Sequence, residues 1–394
     1  MKRLIVAAAA TAIAWPAWAA DLGGDCCADL EERVAELEAT TARKGNRKVS
    51  LEVSGHVNQA VLFWNGFGDN DLDDSAIINN TNSGSRFRFR GSAKINQEWS
   101  AGFLMEFGAG DINNAGGTSV RHQALYLKSK SVGTIWLGTT STATDGIMEL
   151  SLASHDAGTT GTLAPFDAFI EDQAGIGLNN PFDGGRTNVV RYISPTLAGF
   201  SLSAAWMEED NFDIALRFAN EVGQFRVVAG AGYRREDVSA DIVLGPSDGD
   251  RTFWGGSASV MHMPSGVFID GLYGQSDGLQ TIDVNIAKVT GSPFIGILNL
   301  NDLTVGGDIK LRTYGGRAGI AKKLFVAGKT TIYGEYTVLD IEGTSIEPKV
   351  YGLGLVQDID AAAMSLYASY RHYDLDIGSD DTADVFLIGS KIKF

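Results

Sequence analysis

The sequence predicts an all-β fold: a membrane-spanning barrel of sixteen antiparallel strands, preceded by a short helix. Three observations predict the barrel. Side-chain character alternates strictly along strand-length segments. The connections between those segments run short, then long, then short. The last segment carries its apolar residues on one parity and ends on Phe394.

Alternation is sharpest at residues 85–95, SRFRFRGSAKI. A period of two is that of a β-strand, whose successive side chains point to opposite faces. One face carries Phe87, Phe89, Ala93 and Ile95; the other carries Arg86, Arg88, Arg90, Ser92 and Lys94. In a soluble sandwich the phenylalanines would be core. In a membrane barrel they face lipid and the arginines face a wet lumen. The last strand decides between these. Phe386, Ile388, Ile392 and Phe394 share one parity, and Lys391 and Lys393 share the other. A terminal aromatic flanked by lysines is poorly used in a soluble core. At a membrane interface it closes onto the first strand. Residues 364–371 repeat the pattern, with Met364, Leu366, Ala368 and Tyr370 against Ser365, Tyr367, Ser369 and Arg371.

Sixteen strand candidates follow: 49–64, 84–96, 98–109, 119–130, 133–140, 187–194, 199–207, 212–221, 224–235, 252–263, 266–275, 311–323, 329–340, 348–358, 362–374 and 383–394. Most are close to the roughly 9–11 residues that a tilted strand needs to cross a bilayer. Long connections fall at 65–83, 110–118, 141–186, 237–250, 276–310, 342–347 and 375–382, and short turns fall between them. Sorting of loops by length in this way belongs to outer-membrane barrels, with short periplasmic turns and long outer loops. Trp64, Trp99, Trp206, Tyr233, Tyr336 and Tyr373 lie near strand ends, where aromatic girdles are expected. The segment 119–130 does not alternate cleanly.

Residues 1–20 read as a secretory signal peptide. Lys2 and Arg3 precede a short apolar run, and Ala17-Trp18-Ala19 is a small-residue cleavage pattern. No later segment reaches the roughly 18 apolar residues of a spanning helix. The chain is 44% hydrophobic, with 48 glycines in 394 residues. That glycine share is well above the usual ~7%. Modest hydrophobicity suits strands that show only one face to lipid, and glycine suits close strand packing and tight turns. The net charge of −16 argues against nucleic acid as a partner, which would call for a basic patch. Asp69, Asp71, Asp73 and Asp74 read as solvated loop charge, or as a place where divalent cations bridge to an anionic outer leaflet.

Residues 21–48 form a separate segment before the barrel domain at 49–394. Leu30, Val34 and Leu37 follow coiled-coil spacing within 25–43, and a basic linker closes the segment at 43–48. Two heptads are too short to be stable alone, so the helix is expected beneath barrels already held together. Extending the register backwards puts Cys27 on the seam beside Cys26, and no disulfide framework holds the main domain.

The five histidines show no metal-ligand spacing, and Ser154-His155-Asp156 are adjacent in sequence, which is not how a triad assembles. No catalytic residue, metal or cofactor is expected.

Two motifs add a resemblance. Residues 124–128, ALYLK, followed by 133–138, GTIWLG, resemble the segment before the constriction loop of Gram-negative general porins. Residues 188–200, NVVRYISPTLAGF, resemble the strand-turn-strand after that loop, and a terminal phenylalanine is the family's ending. Thr139-Thr140 stands where many members carry Arg-Gln, and the N-terminal coiled coil marks a variant. The resemblance implies a homotrimer of sixteen-stranded barrels in the outer membrane, in contact with lipid and lipopolysaccharide, passing small hydrophilic solutes and ions. A solute-specific channel is the alternative. It also implies that the loop at 141–186 folds inward and narrows the pore. That loop would present Asp145, Glu149, Asp156, Asp167, Glu171 and Asp172, facing Arg86, Arg88 and Arg90 across the lumen, with Arg191 as a further lining candidate. Acids opposite arginines would set a transverse field. The apolar Ile295, Ile297, Leu298 and Leu300 in the 276–310 loop leave that loop's role open.

Overall fold

A computed structural model describes residues 48–66, 74–109, 118–154, 156–157, 182–208, 210–237, 250–279, 309–342, 347–374 and 382–394. The expected signal peptide and helix lie outside the described residues, as do Asp167, Glu171 and Asp172. The strands are β1 (Ser50–Gly66), β2 (Asp74–Asn79), β3 (Arg86–Lys94), β4 (Trp99–Gly108), β5 (Ser119–Ser129), β6 (Gly133–Ser141), β7 (Arg186–Ile193), β8 (Phe200–Met207), β9 (Phe212–Val222), β10 (Phe225–Asp237), β11 (Asp250–His262), β12 (Val267–Leu279), β13 (Ile309–Phe325), β14 (Gly328–Ile341), β15 (Lys349–Ile359), β16 (Met364–Asp374) and β17 (Thr382–Lys393).

The strands form one antiparallel sheet in chain order, and β17 pairs back onto β1 from His56↔Lys393 to Gly66↔Ala383. The sheet is therefore a closed barrel with no free edge. β1 pairs with β3 along its first half and with β2 along its second, so seventeen segments fill sixteen places in the wall. β2 lies inside the 65–83 segment, which the sequence predicts as a long connection.

Closure uses Phe394. Its N–H donates to the Gly55 carbonyl at 3.0 Å, and its own carbonyl accepts from Gly55 N–H at 2.9 Å. A Cβ on Gly55 would lie 2.7 Å from the Phe394 ring and 2.5 Å from the Arg86 carbonyl oxygen, so glycine is required where the ring crosses. The connection from β7 to β8 reverses at Ala198 and Gly199, between the paired Leu197 and Phe200, with φ of 51° and 89°. Positive φ at both central residues is the two-residue hairpin that matches strand twist.

The parity of the strands sorts as expected. Residues 143–156 bond to side chains on β9, β11, β13 and β17, so those side chains point to the inside. The opposite parity is apolar and exposed, including Val53, Phe87, Leu125, Leu353, Phe386 and Ile388. This is the lipid-facing band.

Three departures have physical causes. In β5 the register shifts between the Glu106↔His122 and Phe107↔Val120 pairs, leaving Arg121 as an extra residue. A β-bulge turns adjacent side chains to the same face, so Arg121 and His122 both point inward, which explains the broken alternation of 119–130. Trp64 and Tyr373 are corrections to the expected girdle. Trp64 shares the inward face with buried Val385, and Tyr373 is fully buried within an inward-facing apolar cluster. Trp206, Tyr233 and Tyr336 do lie on the exposed outer face. Finally, the inner wall of β12 to β17 and β1 is not uniformly polar. Leu62, Phe268, Val356, Val385 and Leu387 are buried there with Ala153 and Ala157 of the loop, so this side of the lumen is a core on which the loop rests.

Candidate pore constriction

The segment after β6 enters the barrel and follows the inner wall. Each contact is made by an inward-parity side chain of a strand. The Asp213 carboxylate on β9 accepts the Ala143 N–H at 2.9 Å and the Thr144 N–H and hydroxyl, each at 2.7 Å. Arg217, two periods of the alternation further along β9, donates to the carbonyls of Ala143 at 2.8 Å and Asp145 at 2.9 Å. On β11 the Ser257 hydroxyl accepts from Leu150 N–H and donates to the Ile147 carbonyl, and Ser259 accepts from Leu152 N–H. On β13 Arg317 pairs with Asp270 at 2.7 Å and donates to the Ser154 carbonyl at 3.0 Å, with both charges buried. Lys391 and Ser365 then hold the Asp156 carboxylate. Loop backbone groups that a buried segment would leave unpaired are thus satisfied by the wall.

Apolar fit complements these bonds. A Cβ on Gly230 would meet the Ile147 Cδ1 at 2.6 Å and the Leu150 Cδ1 at 2.7 Å, and one on Gly274 would meet the Met148 Cε at 2.8 Å. Inward glycines on β10 and β12 make the trough in which the loop lies. The returning leg is tied to the entering one: Thr142 N–H donates to the Gly185 carbonyl at 3.0 Å, and Met148 N–H donates to Asp183 at 2.8 Å. Burial and the nearby Asp145 raise the Glu149 carboxyl above its ordinary value. Burial, and then Glu149, push Asp183 well above its own.

Across from the loop stands a basic cluster on β3 to β5. Glu106 on β4 is fully buried at its centre. Arg88 donates to it through Nε at 2.7 Å, Arg121 through Nε at 2.9 Å, and Arg86 approaches to 3.5 Å. His122 lies 3.9 Å away. Arg88 keeps 42% of its side chain exposed, so the cluster faces lumen water and is not sealed. Arg90 continues the row and is exposed. Arg186 lies 3.9 Å from Asp145.

The sequence-expected residues divide accordingly. Arg86 and Arg88 are gathered on Glu106. Asp145 and Glu149 sit at the loop's entering leg. Asp156 differs from the expectation of an open lumen acid: it is 5% exposed and ion-paired to Lys391, so it anchors the loop. Arg191 is half-buried and donates to the Ser141 carbonyl at 3.1 Å, supporting the loop's start. Glu106, Arg121, Asp213, Arg217 and Arg317 were not anticipated. Their signal was present as inward-parity charges at strand spacing, such as Asp213 and Arg217, but what each would meet is set by a distant segment.

A Gram-negative porin family model matches residues 6–389. The chain belongs to the Gram-negative porin family. This porin shares its fold with solved structures of low identity. An anion-selective porin from Comamonas acidovorans superposes with a TM-score of 0.61 at 18% identity, covering 88% of this chain and 100% of that one. The trimer form of in-vitro folded OmpT, an outer membrane protein of Vibrio cholerae, gives 0.56 at 16% identity, covering 88% and 99%. Salmonella typhi OmpF in complex with daunomycin gives 0.52 at 14% identity, covering 88% and 98%. A search of curated proteins finds no match. The porin is an integral outer-membrane barrel and forms a channel for passive diffusion. A sixteen-stranded barrel is wide enough to leave an aqueous lumen, which the loop narrows.

Proposed function

We propose that this porin's constriction favours small anionic hydrophilic solutes. The observation that carries the reading is the single carboxylate of Glu106 among Arg86, Arg88 and Arg121. One negative charge against three positive ones leaves the lumen face of β3 to β5 with an excess of positive charge. In a narrow pore with low-dielectric walls such an excess concentrates anions and repels cations. Arg90 extends the row, and Asp145 and Glu149 on the loop supply the opposing pole that orients a polar solute. The Comamonas acidovorans porin is named for anion selectivity, but at 18% identity it lends the fold alone, so the preference here rests on the arginines.

The protein works by conduction and not by catalysis. It assembles as a homotrimer in outer-membrane lipid and lipopolysaccharide, with residues 21–48 on the periplasmic side. The test is reconstitution into a planar bilayer under a salt gradient. A reversal potential of anion sign, lost when Arg86, Arg88 and Arg90 are all replaced by serine, supports the reading. Cation selectivity in the unaltered protein would sink it.

A further inference from the structure

The wall opposite β1 is interrupted. Gln59 pairs with Asn79 and His56 pairs with Arg86. Three steps along β1 are matched by seven along its partner, so four residues are extra. They are residues 81–84, a short turn at Thr81–Ser83 closed by Gly84, between β2 and β3. The turn lies over the inner face, because inward-facing side chains hold it. His56 contacts the carbonyls of Ser83 at 3.1 Å and Gly84 at 3.0 Å. Asn58 donates to the Ser83 carbonyl at 3.0 Å, and Arg86 donates to the Gly84 carbonyl at 2.8 Å. Asn58 is itself fixed by the Tyr367 hydroxyl on β16. From this insert the fully buried Asn80 reaches across to the constriction loop and donates to the Asp156 carbonyl at 2.9 Å.

We propose that the insert at 80–85 is a second constriction element, projecting from the wall into the lumen beside the arginine row and joined to the loop through Asn80 and Asp156, so that loop and insert together set the largest solute that passes. Two features support this. The insert sits at the level of Asp156 in the loop, since Asp156 is held by Lys391, whose β1 partner is Asn58. And its hydrogen bonds fix it in place; a slack hairpin could move aside for a solute.

The register supplies a clean test. Deleting residues 81–84 would let Asn80 and Ser85 pair with Asn58 and Val57, restoring a continuous strand with parity intact. The deleted residues carry no charge, so the experiment reads size and leaves the sign of selectivity alone. In planar bilayers the deletion should raise single-channel conductance, and in liposome-swelling assays it should admit larger neutral sugars, with the sign of the reversal potential unchanged. A folded, heat-modifiable deletion variant with unaltered conductance and unaltered sugar cut-off overturns the proposal. Absence of swelling with the unaltered protein would instead overturn the channel itself. Should the deletion fail to fold, Asn80→Ala takes its place, cutting the bond to the Asp156 carbonyl while leaving the strands unaltered. Single-channel conductance and the sugar cut-off should then rise, and a folded variant in which neither changes overturns the proposal equally.

Discussion

Glu106 shows how one residue can set the sign of a pore. Its carboxylate is buried, yet the arginines on it reach lumen water. Glu106→Gln should therefore shift the reversal potential further toward anions. Because Arg88 and Arg121 can be rehydrated, the cost in stability should stay below the roughly 3–5 kcal/mol of a pair broken in a dry core. Denaturation midpoints beside bilayer recordings would check both halves. Glu149 and Asp183 behave differently. Both carboxyls are raised by burial and by neighbouring acids. A raised folded-state value means that the charged form opposes folding at neutral pH, and that this penalty is relieved as pH falls through the raised value. As the pH is lowered these groups should protonate before ordinary carboxylates do. Anion preference should then rise already in that upper window, and Glu149→Gln should flatten the rise. A reversal potential that moves only in the range of unperturbed acids would contradict this.

At the scale of elements, the loop and its trough are one design. Asp213, Ser257 and Arg317 stand on three different strands, and each meets a different part of residues 143–154. Glycines leave room for the loop's aliphatic side chains. Gly230→Val would place new atoms against Ile147 and Leu150. Overpacking of this kind typically costs about 1–3 kcal/mol, and here the loop is the part able to yield. The expected outcome is a folded barrel with altered conductance and noisier single-channel records; identical traces would show that the loop does not need the trough.

Closure belongs to the whole molecule. The Phe394 ring lies over Gly55, and both backbone bonds at that point join the two ends of the sheet. Gly55→Val would collide with the ring and with the Arg86 carbonyl oxygen, on a strand pair that forms only when every other strand is in place. Pairing of such distant segments is the slow step of a high-contact-order fold. The variant should give a lower yield of heat-modifiable barrel on refolding from denaturant, with normal conductance in the channels that do form. An unchanged yield would place the rate-limiting closure elsewhere.

The alternation of Arg86 to Arg90 with Phe87 and Phe89, the spacing of turns and the parity of 383–394 determined the strands and which face meets lipid, because those properties are local and repeat every two residues. The barrel and the inward-facing arginines follow from them. The path of the loop could not be read in this way. Asp156 looked like one more acid in an acidic loop until Lys391 and Ser365, more than two hundred residues away in sequence, were brought against it. The bulge at Arg121 and the insert at 80–85 were equally hidden: a broken alternation and a polar run, NTNSGS, look the same in a slack loop as in a wall that bends inward. Tertiary structure decided these points because a polar or apolar side chain on the inner face of a barrel takes its role from whatever crosses the lumen to meet it.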